Sequence, residues 1–112
     1  MKMLHHNYCT KSLCALDFAN SKNITIEVVD YIKNPLTKEE LIDLLKKLKI
    51  NAADLIRKSE PVFVKKYEGK NLSEEDWIAA MIQHPILIER PVFINGDKAV
   101  IGRPAERVFE IL

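Results

Sequence analysis

The sequence predicts an α/β fold with a helical insertion, and three observations predict it. An apolar run at Met1–Leu4, helix-favouring residues over 12–20 and a β-branched run over 24–30 make a β-α-β opening. Helical pieces with recognisable start and stop signals then follow one another from Thr37 to Pro85. Two short strand patterns flank Asn95-Gly96-Asp97 and lead into a last helix, so the chain closes β-β-α. With 112 residues, 47% of them hydrophobic, the chain has the size of one domain with a real core.

In order, Met1–Leu4 reads as a buried strand that delivers the loop His5-His6-Asn7-Tyr8-Cys9 at its C-terminal end. Ser12 is placed to cap the first helix, whose wheel puts Ala15 and Ala19 inward, Asp17, Asn20 and Ser21 outward, and Leu13 toward solvent. Ile24–Asp30 alternates as a strand parallel to the first. After Asn34-Pro35, Thr37 and Glu40 form a capping box for a helix with Leu41, Leu44, Leu45 and Leu48 on one stripe. Asn51 starts a short helix expected to reach Lys58, Ser59-Glu60-Pro61 another that Gly69 stops, and Ser73 with Asp76 a further one that Pro85 ends. Trp77, Ile78, Met81 and Ile82 share a face of that helix, and Trp77 and Met81 read as core rather than a cofactor site.

Asn95-Gly96-Asp97 marks a tight hairpin, and Gly102-Arg103-Pro104 opens the last helix, with Val108, Ile111 and Leu112 on its apolar side. The order β-α-β, helices, β-β-α is that of a thioredoxin-like fold. It implies a mixed four-stranded sheet in a single domain over 1–112, with a helical insertion at about 36–85.

Charge and cysteine content restrict function. The net charge of +1, from 17 basic and 16 acidic residues, gives no broad field for nucleic acid or an anionic membrane surface. Any anion site must be a local cluster of arginine and backbone N–H groups. With 2 cysteines, no recognisable leader peptide and no apolar run long enough to span a bilayer, a reducing cytoplasm is the expected location.

Cys9, just before a helix, is the candidate nucleophile, because unpaired N–H groups and the helix dipole favour thiolate there. Cys9-Thr10-Lys11-Ser12 also has the C-x-x-S spacing of a thioredoxin-type redox motif. Cys14 reads as a small packing residue. Five residues along a helix is about 7.5 Å of rise, beyond the usual reach of a disulfide with Cys9. His84 reads as closing the preceding helix, and the histidines and cysteines lack metal-site spacing.

Gln83-His-Pro-Ile-Leu-Ile-Glu-Arg-Pro91 resembles the signature of arsenate reductases of the glutathione- and glutaredoxin-coupled type. Leu55-Ile-Arg57-Lys58 and Gly102-Arg103-Pro104 look like two further motifs of that family, so the similarity covers essentially the whole chain. The resemblance implies a thioredoxin-like fold with a helical insertion and a cis proline after the signature arginine. It also implies that Cys9 attacks arsenate while Arg57, Arg90 and Arg103 bind the oxyanion, and that Ser12 donates a hydrogen bond to the Cys9 sulfur. Guanidinium forks suit a tetrahedral dianion and hold a thiolate with the same charges. Where the family has His-Asn-Pro-x-Cys-x-x-Ser-Arg, this chain reads His6-Asn7-Tyr8-Cys9-Thr10-Lys11-Ser12-Leu13. The loop is one residue shorter, a cation is missing, and either His5 or His6 can stand beside Cys9.

By resemblance, the function is thiol-dependent reduction of arsenate, or a similar oxyanion, through a Cys9 thiol–arsenate adduct. Glutathione is the expected co-substrate and glutaredoxin or another thiol donor the partner, with no tightly bound cofactor, no metal, no nucleic acid and no membrane. The alternatives are an Spx-type regulator that binds RNA polymerase, against which Ser12 in place of a second cysteine counts, and a general thiol oxidoreductase without oxyanion chemistry.

Overall fold

The computed structural model describes residues 1–6 and 10–112, the side chain of Lys11 excepted. The chain divides into two compact units, Met1–Asn34 with Arg90–Leu112, and Pro35–Glu89.

In the first unit, β1 (Lys2–His5), β2 (Glu27–Asp30), β3 (Val92–Asn95) and β4 (Lys98–Ile101) form one sheet in the order β2-β1-β3-β4. Helix α1 (Thr10–Ser21) returns the chain between β1 and β2, which are therefore parallel; β1–β3 and β3–β4 are antiparallel. This is the thioredoxin-like arrangement that the sequence predicts. Met3, Phe93 and Val100 stand in one cross-strand row. They share a core with Ala15 and Ala19 of α1 and with Val108 and Ile111 of a terminal 3₁₀ helix, Ala105–Ile111. Alternation turns Leu4 and Val92 to the other face, where both are also buried.

Several boundaries differ from expectation. Helix α1 begins at Thr10, so Ser12 lies inside it rather than capping it. Strand β2 starts at Glu27, because the Ile24 N–H bonds back to the Ala19 carbonyl and pairing begins where Glu27 N–H meets the Met1 carbonyl at 2.8 Å. In the hairpin, Asn95 pairs with Lys98 and only Gly96 (φ 62°) has positive φ, the sign pattern of a type II′ turn. Asn95 is thus free to donate its side-chain N–H to the Ile111 carbonyl at 2.6 Å, tying down the last helix.

In the second unit, α2 (Lys38–Leu48) has the full capping box, with Glu40 N–H bonded to Thr37 Oγ1 and Thr37 N–H to Glu40 Oε1. Its stripe of Leu41, Leu44 and Leu45 is buried. Helix α3 (Pro61–Lys66) and helix α4 (Glu74–Gln83) follow, the latter capped by Ser73. Phe63 and Trp77 stack at 6.2 Å, with Tyr67 tilted against both. The helix expected from Asn51 to Lys58 is a 3₁₀ turn, Ala52–Leu55, with no side-chain cap from Asn51. Beyond it Ile56 forms an antiparallel bridge with Ile88, flanked by Arg57 N–H to Leu87 carbonyl (2.6 Å) and Glu89 N–H to Leu55 carbonyl (2.8 Å). A strand-like pairing with distant residues has overridden local helix propensity. Among the described residues, no helix is long and apolar enough to cross a membrane.

Candidate active site

Cys9 lies outside the described residues, whereas Ser12, Arg57, Arg90 and Arg103 lie within them. Ser12 is fully buried in α1, its Oγ 2.7 Å from Nδ1 of the buried His5 and 3.3 Å from the His6 backbone N–H, which donates to it. Burial of two polar side chains is tolerable because they satisfy each other across the β1–α1 corner. With Nδ1 protonated His5 donates to Ser12; in the other tautomer Ser12 donates to His5.

Arg90 and Arg103 are brought together in the first unit. Arg90 is only 4% exposed, and its Nη1 donates to the phenol oxygen of the fully buried Tyr31 at 3.4 Å. Its carbonyl accepts from Arg103 Nε at 2.7 Å. One residue on, the Pro91 carbonyl accepts from Gly102 N–H at 2.8 Å. Two successive carbonyls thus pin two successive residues of the Gly102-Arg103-Pro104 motif. Glycine is required at 102, since a Cβ there would lie 2.5 Å from Cε2 of Phe93. The Arg90–Pro91 bond is cis, as the resemblance implies, and so is Arg103–Pro104.

Arg103 is partly buried, and its Nη2 is enclosed with no hydrogen-bond partner among the described residues. With Thr10, Cys14, Ala15, Gly102, Pro104 and Ala105 it lines a cavity of about 340 Å³. Arg103 therefore stands by the first residue of α1, the chain neighbour of Cys9. Cys14 is an exposed free thiol, not a packing residue. Ala15 and Ala19, four apart, take the inward face, and position 14 lies about 100° around the helix from Ala15.

Arg57 belongs to the second unit, just past the Ala52–Leu55 3₁₀ turn, with its N–H on the Leu87 carbonyl. The first family-like motif thus pairs with the middle of the signature. Arg57 Nε lies 3.2 Å from Glu60 Oε1, an ion pair by distance whose alignment falls short of a hydrogen bond. Its Nη1 is buried without a hydrogen-bond partner among the described residues. His84 ends α4 by bonding its N–H to the Ala80 carbonyl and sets its ring edge-on to Tyr67 at 6.3 Å.

Enclosed guanidinium N–H groups lacking acceptors are costly unless an anion completes them. The ArsC family profile matches residues 4–111. The chain belongs to the ArsC family. Its relatives include the uncharacterised Escherichia coli protein YfgD, 39% identical over 100% of this chain and 96% of its own. The arsenate reductase of Haemophilus influenzae is 36% identical over 98% of this chain and 97% of its own. Among solved structures, an arsenate reductase from Vibrio cholerae matches with a TM-score of 0.90 and 34% identity, covering 100% of this chain and 98% of the other.

Sequence reasoning about this ArsC-family protein missed Tyr31 and Glu60, the side chains that contact Arg90 and Arg57. Glu60 carried a local signal, three residues from Arg57. Tyr31 is 59 residues from Arg90, and only its place at the end of a β-branched run hints at burial.

Proposed function

We propose that this ArsC-family protein reduces arsenate to arsenite in the cytoplasm, with Cys9 as nucleophile and an external thiol as reductant. The observation that carries the reading is Arg103: anchored through Nε on the Arg90 carbonyl, it keeps Nη2 enclosed without a partner among the described residues. A cation so held favours a small dianion over a neutral substrate. Arg90 supplies a second, buried charge; for Arg57 the support is the resemblance of its motif, Leu55-Ile-Arg57-Lys58.

In the proposed reaction the Cys9 thiolate attacks arsenic, forming an S–As(V) bond as an arsenate hydroxyl takes up a proton from solvent and leaves as water. The arginines neutralise charge on the remaining oxygens. Glutathione thiolate then attacks the Cys9 sulfur; the S–As electron pair stays on arsenic, which leaves as arsenite, and Cys9 is left in a mixed disulfide. Glutaredoxin or another thiol frees Cys9 by exchange. Ser12, by donating to the Cys9 sulfur in the His5-donor tautomer, stabilises the thiolate.

The test is arsenite production by purified protein with arsenate, glutathione and glutaredoxin, together with the pH dependence of Cys9 alkylation in Cys14→Ser. The reading predicts turnover that Cys9→Ser abolishes, and half-maximal alkylation well below the ordinary thiol value of about 8.5. Reduction of small disulfides with no arsenite formed would instead identify a general thiol oxidoreductase.

A further inference from the structure

The chain leaves the first unit after Asn34 and re-enters it at Arg90, and a buried contact joins these two points. Just after β2, Asp30 Oδ1 accepts from Ile32 N–H (3.1 Å) and Lys33 N–H (3.2 Å), a side-chain turn that fixes the backbone on either side of Tyr31. Tyr31 is wholly buried, and its oxygen receives Nη1 of Arg90, itself 4% exposed. Arg90 is thus held at both ends, its guanidinium by Tyr31 and its carbonyl by Arg103 Nε.

We propose that Tyr31 is a positioning residue for the oxyanion site, orienting the Arg90 guanidinium through its phenol oxygen. The role rests on the oxyanion reading above. An arginine side chain has many rotamers, and freezing them before the anion arrives removes an ordering cost from binding. The phenol oxygen accepts the N–H and gives the guanidinium plane one fixed point. At 3.4 Å the Tyr31–Arg90 contact lies at the long end of hydrogen-bond range, so it sets direction more than it supplies binding strength.

Tyr31→Phe keeps the ring and removes the oxygen. The expected result is a KM for arsenate raised about tenfold, with KM for glutathione unchanged. A second readout needs no turnover: restricted rotation of the Arg90 guanidinium, followed by nitrogen-15 NMR, is expected to be weaker in Tyr31→Phe than in the wild type. Should that variant not fold, fluorotyrosine-labelled wild type is titrated with arsenate; a shift of the Tyr31 resonance supports the role and an unmoved resonance overturns it. Equal arsenate KM and an unchanged Arg90 signal in folded Tyr31→Phe overturn the inference while the oxyanion reading stands. A wild type that binds no arsenate, measured by calorimetry, overturns the oxyanion reading and with it the substrate named here, whereas the NMR comparison still decides whether Tyr31 orients Arg90.

Discussion

The two units hold their polar side chains in different ways. In the sheet unit the bonds that hold the candidate site reach along the chain, Tyr31 to Arg90 spanning 59 residues, Arg90 to Arg103 13 and His5 to Ser12 7. Beside them stand local ones such as Asp30 to Ile32 and Arg107 to Glu110. In the helical unit many span three or four, as in the Thr37–Glu40 box, the Ser73 cap, Arg57–Glu60 and Lys47–Asp43. The exception is Glu74, whose carboxylate takes the Ala52 N–H from 22 residues away. Long-range bonds exist only when the whole unit is folded, so they can aim a buried side chain that no local turn would hold. Local bonds stabilise a helix end whether or not anything else is in place, which suits a scaffold.

That contrast can be broken by cutting bonds of each kind. The largest effect is expected at Gly102→Ala, whose Cβ meets the buried ring of Phe93. We expect a loss of about 1–3 kcal/mol in chemical denaturation, together with weaker arsenate binding, because Arg103 follows directly. Wild-type stability for this variant would show that the close approach is not required. A smaller loss, about 1 kcal/mol, is expected for Thr37→Ala, which removes half of a local capping box and should leave arsenate kinetics untouched. A changed KM would show that the helical unit's caps do feed the site. Smallest is Asp43→Ala, cutting the 3.1 Å pair with Lys47 on the α2 surface; about 0.3 kcal/mol or less is expected, vanishing in high salt.

The same division explains what the sequence made legible. Both capping signals, the Leu41–Leu44–Leu45 stripe, the hairpin and the order of the elements are written in residues near one another, and each was readable. The helix before Arg57 was expected to reach Lys58; it stops at Leu55, where pairing with Leu87 and Glu89 takes over, which no local pattern reveals. Ser12 looked like a cap because serine caps so often, yet its hydroxyl is taken up by His5 and His6 across the β1–α1 corner. Arg90 and Arg103 could be named from their motifs. That Arg103 would rest on the carbonyl of Arg90, with Nη2 lacking a hydrogen bond among the described residues, could not, since that depends on the meeting of β3 and β4.

The most direct test of the central claim, that Arg103 holds its free nitrogen for an oxyanion beside Cys9, is protection of that cysteine. In Cys14→Ser protein, alkylation of Cys9 by iodoacetamide is followed by intact mass with increasing arsenate. The account predicts that arsenate slows the reaction, and that adding Arg103→Ala raises the arsenate needed for half-protection at least tenfold, about 1.4 kcal/mol. Alkylation indifferent to arsenate, or protection surviving the loss of Arg103, would contradict it.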